Sequence, residues 1–236
     1  MAAAIRQELR HEGLVKAEDR PLFTLRNLQW TDAQKGDTAR YRPGLVVQFV
    51  QHAPGMKNGS RWQVSRVEDG NVWLKGTEDS EGLLPHKLGA RFNVFEPDTL
   101  ELAVGDPVRI TFNGYTEGGR QRLNTGAVYA VKGFTAKGDV IIIDTQKKQK
   151  SWVMPADYAH VTTGYYTTSH AAQSKTVDRV LIAQSTTSFP VSSQEQAYVS
   201  ATRGREYAHI YTDEGFFDQF FLGRGIILSP LSIRVL

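Results

Sequence analysis

The spacing of apolar and polar positions changes along the chain. Apolar side chains recur every fourth position in residues 2–12, which predicts a short helix. Residues 22–28 alternate apolar and polar side chains and predict a strand, and a short polar helix follows with Thr31 or Asp32 as its N-cap. From residue 41 onward, short alternating runs separated by glycine turns predict strands over most of the chain.

The central region contains a weak internal repeat. The matching blocks are GLVVQF at 44–49 with GDPVRI at 105–110, and GSRWQV at 59–64 with GAVYAV at 126–131. In each copy a turn with glycine and a third apolar strand come next. Short alternating strands of this kind are typical of small barrels, so we predict two SH3-like barrels at 41–95 and 96–158. Similarity this weak also arises by chance between two β meanders.

Strands alternate with a helix in the following part. Residues 165–168, 179–183 and 208–211 are predicted strands, and residues 193–202 are a predicted helix with a serine cap. Strands that alternate with a helix indicate part of a parallel α/β sheet. Residues 214–236 contain many apolar side chains and a proline, and we assign them only as an atypical tail.

Composition narrows the class of protein. The chain has 236 residues, no cysteine, a formal charge of +3 and a pI near 9.0. The lack of cysteine excludes disulfides and thiolate metal sites, and the mild basicity permits nucleic-acid binding. No run approaches 18 apolar residues and the N-terminus has no apolar leader, so we expect a cytoplasmic protein with no membrane partner.

A polar run, TSHAAQS at 168–174, precedes the apolar strand at 179–183. The hydroxyl groups of Thr168 and Ser169 suit phosphate oxygens, and His170 offers both a donor and an acceptor. The alternative is a polar loop that caps a strand.

A pair of arginines follows in YVSATRGR at 198–205. The guanidinium of Arg203 is always charged and can contact two phosphate oxygens at once. Alternatively, Arg203 and Arg205 only complement the dipole at the end of a helix.

These two motifs, followed by HIYTD at 209–213, resemble the last two motifs of RecD-like superfamily 1 DNA helicases. The resemblance is to the helicase half of MobF-type conjugative relaxases and covers about residues 5–213. It implies an α/β plus all-β fold, in which an incomplete RecA-like parallel sheet, the second motor domain, has two inserted SH3-like barrels. Residues 1–40 and 159–213 would then be segments of the RecA-like domain.

The resemblance also implies roles for individual residues. Arg203 would be catalytic, as an arginine finger on the γ-phosphate of ATP. The remaining implied contacts are Gln173, Arg203 and Arg205 with nucleotide, and Thr168, Ser169 and His170 with single-stranded DNA. Ser174 stands where the family usually has glycine.

Several parts of a working motor are absent from the sequence. It contains no Walker loop, no acidic pair for Mg²⁺, and none of the clustered histidines or nucleophilic tyrosines of relaxases. We therefore expect no metal site, no bound cofactor and no activity from the chain alone; ATP and Mg²⁺ would bind only in the complete motor. The expected partners are single-stranded DNA and the missing N-terminal RecA-like domain, in cis or in trans.

Two alternatives remain open. The chain is either a free-standing single-stranded DNA-binding or adaptor module, or a fragment without a function of its own. For the module, the side chains offered for stacking and phosphate contact are Trp30, Trp62, Trp73, Trp152, Arg61, Arg66, Arg120 and Arg122. Tryptophan in small barrels more often belongs to the core.

Overall fold

A computed structural model describes residues 2–77, 80–144, 150–168, 177–183, 200, 202–212 and 232–235. The chain forms two compact units, Met1–Tyr165 and Tyr166–Leu236. The described residues are mostly strands with few helices. Antiparallel sheets form the first unit and a small parallel sheet lies in the second. The predicted combination of antiparallel β structure with a parallel sheet is confirmed.

The structure contains both helices that were predicted near the N-terminus. Helix α1 is Ala2–His11 and helix α2 is Asp32–Gly36. The hydroxyl oxygen of Thr31 accepts a hydrogen bond from the Gln34 amide, and the Gln34 side chain accepts one from the Thr31 amide. This reciprocal capping box identifies Thr31 as the N-cap.

Six strands form an antiparallel sheet in the order β1-β6-β2-β3-β4-β5. The strands are β1 Arg20–Asn27, β2 Val46–Phe49, β3 Arg61–Glu68, β4 Asn71–Lys75, β5 Glu81–Leu83 and β6 Phe92–Leu102. A 3-10 turn, His86–Arg91, precedes β6. Strand β1 pairs along its whole length with β6, so the strand of segment 1–40 lies in this antiparallel sheet and in no described strand pair of the parallel one.

Five further strands form a second antiparallel sheet in the order β12-β11-β10-β7-β13. The strands are β7 Pro107–Ile110, β10 Val128–Phe134, β11 Val140–Ile143, β12 Ser151–Met154 and β13 Val161–Thr163. Between β7 and β10 the chain forms a small hairpin of β8 Gly114–Tyr115 and β9 Arg122–Leu123. Strand β13 lies beyond the predicted boundary at 158, and a 3-10 turn, Ala156–Tyr158, precedes it.

The structure confirms the internal repeat. Val47 pairs with Trp62 in the first sheet, and the matching Val108 pairs with Tyr129 in the second. The Gly44 amide donates to the Val64 carbonyl at 2.9 Å, and the amide of Gly105 donates to the matching carbonyl of Val131 at 2.8 Å. Both ladders also carry a bulge directly after this valine. Equivalent pairing and an equivalent bulge indicate two copies of one structural unit.

Each sheet encloses its own hydrophobic core. The first core contains Tyr41, Leu45, Val47, Phe49, Met56, Val64, Val72, Leu74, Leu84, Phe92 and Val94. The second contains Leu22, Leu102, Val108, Ile110, Leu123, Tyr129, Val131, Val140, Ile142, Met154, Tyr158 and Val161. Leu25, Phe95 and Ala159 form a smaller cluster, so the β1–β6 ribbon supplies buried side chains to more than one core.

The second unit is built on three parallel strands in the order β14-β15-β16. Strand β14 is Val177–Ala183, β15 is Gly204–Thr212 and β16 is Ser232–Val235. The first two confirm the predicted strands, whereas β16 lies in the segment assigned only as a tail. Of the predicted helix at 193–202, Ser200 is helical and most of the remainder lies outside the described residues.

The strand predicted at 165–168 is wrong. Tyr165 forms a bend and the three residues after it have no strand pairing. The hydroxyl group of Tyr165 donates a hydrogen bond to the buried carboxylate of Asp106, near the start of β7. A run of two tyrosines and two threonines suggested a strand here. In the structure, Tyr165 is held by this side-chain contact and not by a ladder.

Candidate nucleotide and nucleic-acid site

Arg203 lies in the turn that connects a helix end to strand β15. Its amide donates to the carbonyl oxygen of Ser200 at 3.2 Å, and β15 begins at the next residue, Gly204. Arg203 is half-buried, and so it lies neither in a hydrophobic interior nor fully in solvent. An arginine in this position can present a charged fork at the N-terminal edge of the sheet.

The start of strand β14 is bonded to the same turn. The Val177 amide donates to the Arg203 carbonyl at 2.9 Å, and Val177 is the ladder partner of Gly204. The strand that follows the polar run 168–174 therefore starts directly beside Arg203. Neighbouring strands of a parallel sheet begin at the same edge of that sheet.

Only part of the polar run can be placed. Thr168 is exposed and precedes β14 outside any strand. Ser169, His170, Gln173 and Ser174 lie outside the described residues. Contact of Thr168, Ser169 and His170 with DNA, and of Gln173 with nucleotide, stays a prediction.

Arg205 is held on the surface of the sheet by an ion pair. Its Nη2 lies 2.8 Å from Oδ1 of Asp178 on the neighbouring strand, and both side chains are 64% exposed. A second exposed pair joins Arg179 to Glu206 at 3.4 Å. Exposed pairs contribute little to stability, about 0–1 kcal/mol each. Arg205 would have to leave Asp178 to bind a phosphate, and its predicted nucleotide contact is not tested by this geometry.

The described residues supply an arginine for a phosphate but no cluster of metal ligands. Within the described ranges, no group of three or more histidine, aspartate or glutamate side chains could hold a metal ion. The described residues therefore fit one contact to a nucleotide phosphate and do not form a site for Mg²⁺. Among the same residues, no helix is long and apolar enough to cross a membrane.

The tryptophans named for base stacking are mostly engaged in packing. Trp30 makes an edge contact with Tyr41 at 5.1 Å between ring centroids, and Trp62 and Trp152 pack against the two cores. Trp73 is covered by the guanidinium of Arg66, 4.3 Å from its ring centroid. Three of the four indoles pack against the cores, as expected for tryptophan in small barrels, and the fourth is covered by a cation.

The arginines named with them divide into two groups. Arg61 donates to the carbonyl oxygens of Asp157 and Tyr158 at 2.7 and 2.8 Å, and Arg66 is paired with Glu81 at 3.1 Å. Arg120 and Arg122 are exposed on the β8–β9 hairpin. We did not predict from the sequence that Tyr115 is exposed on that hairpin. The two glycines between Tyr115 and Arg120 indicate a turn, and they are the sequence feature from which the hairpin could have been predicted.

A buried carboxylate joins the N-terminal helix to the last residue of the first unit. Asp106 is 1% exposed and accepts from Arg6 Nη2 at 2.6 Å, from the Ala103 amide at 2.7 Å and from the Tyr165 hydroxyl. Burial, and then the hydrogen bond to Asp106, raise the pKa of Tyr165 above its ordinary value. The network fixes the position at which the chain leaves the first unit.

A second buried contact joins the two repeats. The Nε2 atom of His160 lies 2.6 Å from Oε1 of Gln48, and the ring packs against Phe95 and Phe112. Burial, with a smaller contribution from the charge of Arg61, lowers the pKa of His160 to about 4. The imidazole is therefore neutral at physiological pH, and Nε2–H donates to the glutamine oxygen.

Comparison with known families decides the class of protein. The family described as the viral superfamily 1 RNA helicase core domain matches residues 78–212, more than half of the chain. The chain belongs to this family. The predicted membership of superfamily 1 is confirmed: the chain carries part of a superfamily 1 helicase core. Members of this superfamily use ATP and Mg²⁺.

Distant likenesses to Pif1 helicases are found among solved structures, whereas no curated protein matches. One structure, of two Pif1 helicases at forked double-stranded DNA, has 14% identity and a TM-score of 0.20, with 86% of this chain and 35% of that chain covered. Pif1 from Bacteroides with ADP-AlF3 and single-stranded DNA has 16% identity and a TM-score of 0.21, with 86% and 36% covered. The chain spans about a third of the length of these proteins. Scores this low do not relate the two folds.

Proposed function

We propose that this chain supplies the second RecA-like domain, with two SH3-like barrels, of an ATP-driven single-stranded DNA motor in a plasmid-transfer relaxase. The observation that carries the proposal is the hydrogen bond from Val177 to Arg203. It holds the arginine turn beside the strand that follows the polar motif. Membership of the superfamily 1 helicase core supports the same function.

The architecture of the first unit supports the barrels. In each copy the fifth strand pairs with the first, and a 3-10 turn precedes that fifth strand. Strand β6 pairs with β2 in the first copy, and β13 pairs with β7 in the second. Five short strands around one core, with this order, are typical of an SH3-like barrel. The adjacent parallel strands β14, β15 and β16 support a RecA-like sheet.

Arg203 acts as the arginine finger in this proposal. ATP, when bound in the complete motor, supplies the free energy of γ-phosphoryl transfer to water. Arg203 holds oxygens of the γ-phosphate through its forked N–H donors and stabilises the charge that develops on them. Such an arginine contributes about 10³–10⁵ in kcat. Arg203 is partly exposed, as this contact requires.

The polar run before β14 contacts the DNA backbone in the same proposal. Thr168, Ser169 and His170 donate to phosphate oxygens of the single strand, and Gln173 faces the nucleotide. A Walker-loop RecA-like domain, in cis or in trans, provides the other side of the nucleotide site. A motor of this kind acts on plasmid DNA in the cytoplasm.

The test is ATP turnover by the motor reconstituted with such a Walker-loop domain from the same source. Arg203→Ala and Arg203→Lys should each lower DNA-stimulated turnover by about 10³-fold or more, because lysine lacks the planar fork. Arg179→Ala is the matched control, since Arg179 is an exposed, ion-paired arginine on the same sheet. Turnover that is unchanged in Arg203→Ala would contradict the proposed role.

A further inference from the structure

Three arginines differ from the other described arginine side chains. The others bind a carboxylate or a carbonyl oxygen, lie over an aromatic ring, or have another electrostatic partner. Within the described part of the chain, Arg109, Arg120 and Arg122 have no such partner. All three belong to the second repeat, on β7 or on the β8–β9 hairpin. Unpaired guanidinium groups concentrated in one repeat are available for an anionic partner.

An exposed aromatic ring lies next to one of these arginines. Tyr115 is 59% exposed, and it is the direct ladder partner of Arg122 across the hairpin. Directly opposed residues of an antiparallel pair project from the same face, with Cβ atoms about 5 Å apart. The hairpin thus presents an aromatic ring and a guanidinium side by side. Arg120 is in the connecting turn, which also contains one acid, Glu117.

The hairpin is fixed in this conformation by several contacts. Thr116 is buried, its amide donates to the Gln121 carbonyl at 2.9 Å, and its hydroxyl oxygen accepts from the Gln121 amide at 3.0 Å. Gly118 and Gly119, both at φ 68°, make the reversal that other residues adopt only with strain. At the base, a Cβ on Gly114 would lie 2.3 Å from the ring of Tyr158, so only glycine lets the hairpin pack there. A rigid surface loses little entropy on binding.

We propose that the β8–β9 hairpin binds single-stranded nucleic acid, with a base stacked on Tyr115 and phosphates on Arg120 and Arg122. Single strands expose both the flat faces of their bases and a regular anionic backbone. The hairpin offers the two complementary groups in one place. The inference rests on the proposed function, because it names a surface on which the single strand of that motor lies. It does not depend on Arg203.

Binding of the whole chain to fluorescein-labelled oligonucleotides of about 16 nucleotides, measured by anisotropy at several salt concentrations, tests the proposal. Tyr115→Ala should weaken binding about tenfold, whereas Tyr115→Phe, which keeps the ring, should bind as the wild type does. Tyr115→Leu, which keeps an apolar side chain without a stacking face, should behave like Tyr115→Ala. Parallel DNA and RNA oligonucleotides show which sugar the surface accepts, since stacking alone does not distinguish them.

The arginines have a separate signature in the salt dependence. Each phosphate contact to a single strand contributes about 0.7 to the slope of log affinity against log salt. The double variant Arg120→Ala with Arg122→Ala should therefore reduce the slope by about 1.4. The same double variant with lysines should keep most of the slope, because lysine also neutralises a phosphate.

Matched controls come from residues on or next to the six-stranded sheet, away from the hairpin in sequence. Phe23 is 49% exposed on β1, so Phe23→Ala removes an exposed ring elsewhere. Arg26 and Arg42 both pair with Glu96, so their double alanine variant removes two charges without touching the hairpin. Both controls should bind as the wild type does.

Three results would overturn the inference. The first is binding by the Tyr115 and arginine variants that equals that of the controls. The second is displacement of the oligonucleotide by poly-glutamate at equal charge together with no effect of Tyr115→Ala, which indicates an acidic peptide site. The third is no binding by the wild type at low salt. The arginine finger is tested separately, by comparing turnover of Arg203→Ala and Arg179→Ala in the reconstituted motor. Failure of the inference is therefore distinguishable from failure of the arginine finger.

Discussion

The backbone amide of Val177 donates a hydrogen bond to the carbonyl oxygen of Arg203, with 2.9 Å between nitrogen and oxygen. The bond closes the end of the parallel ladder at which β14 and β15 both begin. It uses the main chain of Arg203 and leaves its guanidinium outside the ladder. The position of the arginine turn is therefore determined by the sheet itself.

Val177→Pro should weaken this end of the sheet. Proline removes the amide that donates to Arg203, and a lost backbone hydrogen bond costs about 1 kcal/mol or more. Val177→Ala is the control: Val177 is 43% exposed, so alanine should change little. Hydrogen exchange of the β14 and β15 amides is the measurement, because it reports on the second unit separately. Equal protection in the two variants would show that the bond contributes nothing.

Tyr165 and Asp106 should stabilise the first unit unequally. Tyr165→Phe removes one donor from a carboxylate that retains Arg6 and the Ala103 amide, and should cost about 1–2 kcal/mol. Asp106→Ala removes the buried acceptor of the Ala103 amide and the Tyr165 hydroxyl and leaves Arg6 only Asp19, so it should cost about 3–5 kcal/mol. Urea denaturation of the full chain, followed by tryptophan fluorescence, measures both. A larger loss for Tyr165→Phe than for Asp106→Ala would contradict this network.

His160 should make the stability of the first unit depend on pH. Its folded pKa of about 4 lies below the ordinary value of 6.5, so the unfolded chain binds more protons between these values. Its contribution to stability is complete above about pH 6.5 and is lost as the pH falls toward 4. The loss is at most about 3 kcal/mol. His160→Gln, which cannot titrate, should show a smaller decrease in urea midpoint from pH 7 to pH 4.5 than the wild type. Equal decreases would assign the pH dependence to other groups.

Local patterns predicted most elements of the fold. Apolar β-branched runs identified β11, β14 and part of β15, and the Thr31 cap follows from capping chemistry within four residues. The repeat was visible because the turns of both copies need glycine, as at Gly44 and Gly105, which have φ of 95° and 100°. These features depend on neighbours in sequence.

Contacts between distant residues were not predictable in the same way. Tyr165 and Asp106 are 59 positions apart, and His160 and Gln48 are 112 apart, so no local spacing indicates either pair. The first of these contacts holds Tyr165 by its side chain, and residues 165–168 form no strand. Strand β16 pairs in parallel with β15, and no local pattern of residues indicated this pairing. For the site, the sequence motif identified Arg203. Its hydrogen bond with Val177 is apparent only in the folded sheet.

ATP turnover by the purified chain, by a Walker-loop RecA-like domain from the same source, and by their mixture with single-stranded DNA is the most direct test of the account. Half of the nucleotide site is proposed to lie on each component. We predict turnover at background for the chain alone and DNA-stimulated turnover for the mixture. Robust DNA-stimulated hydrolysis by the chain alone would contradict the account.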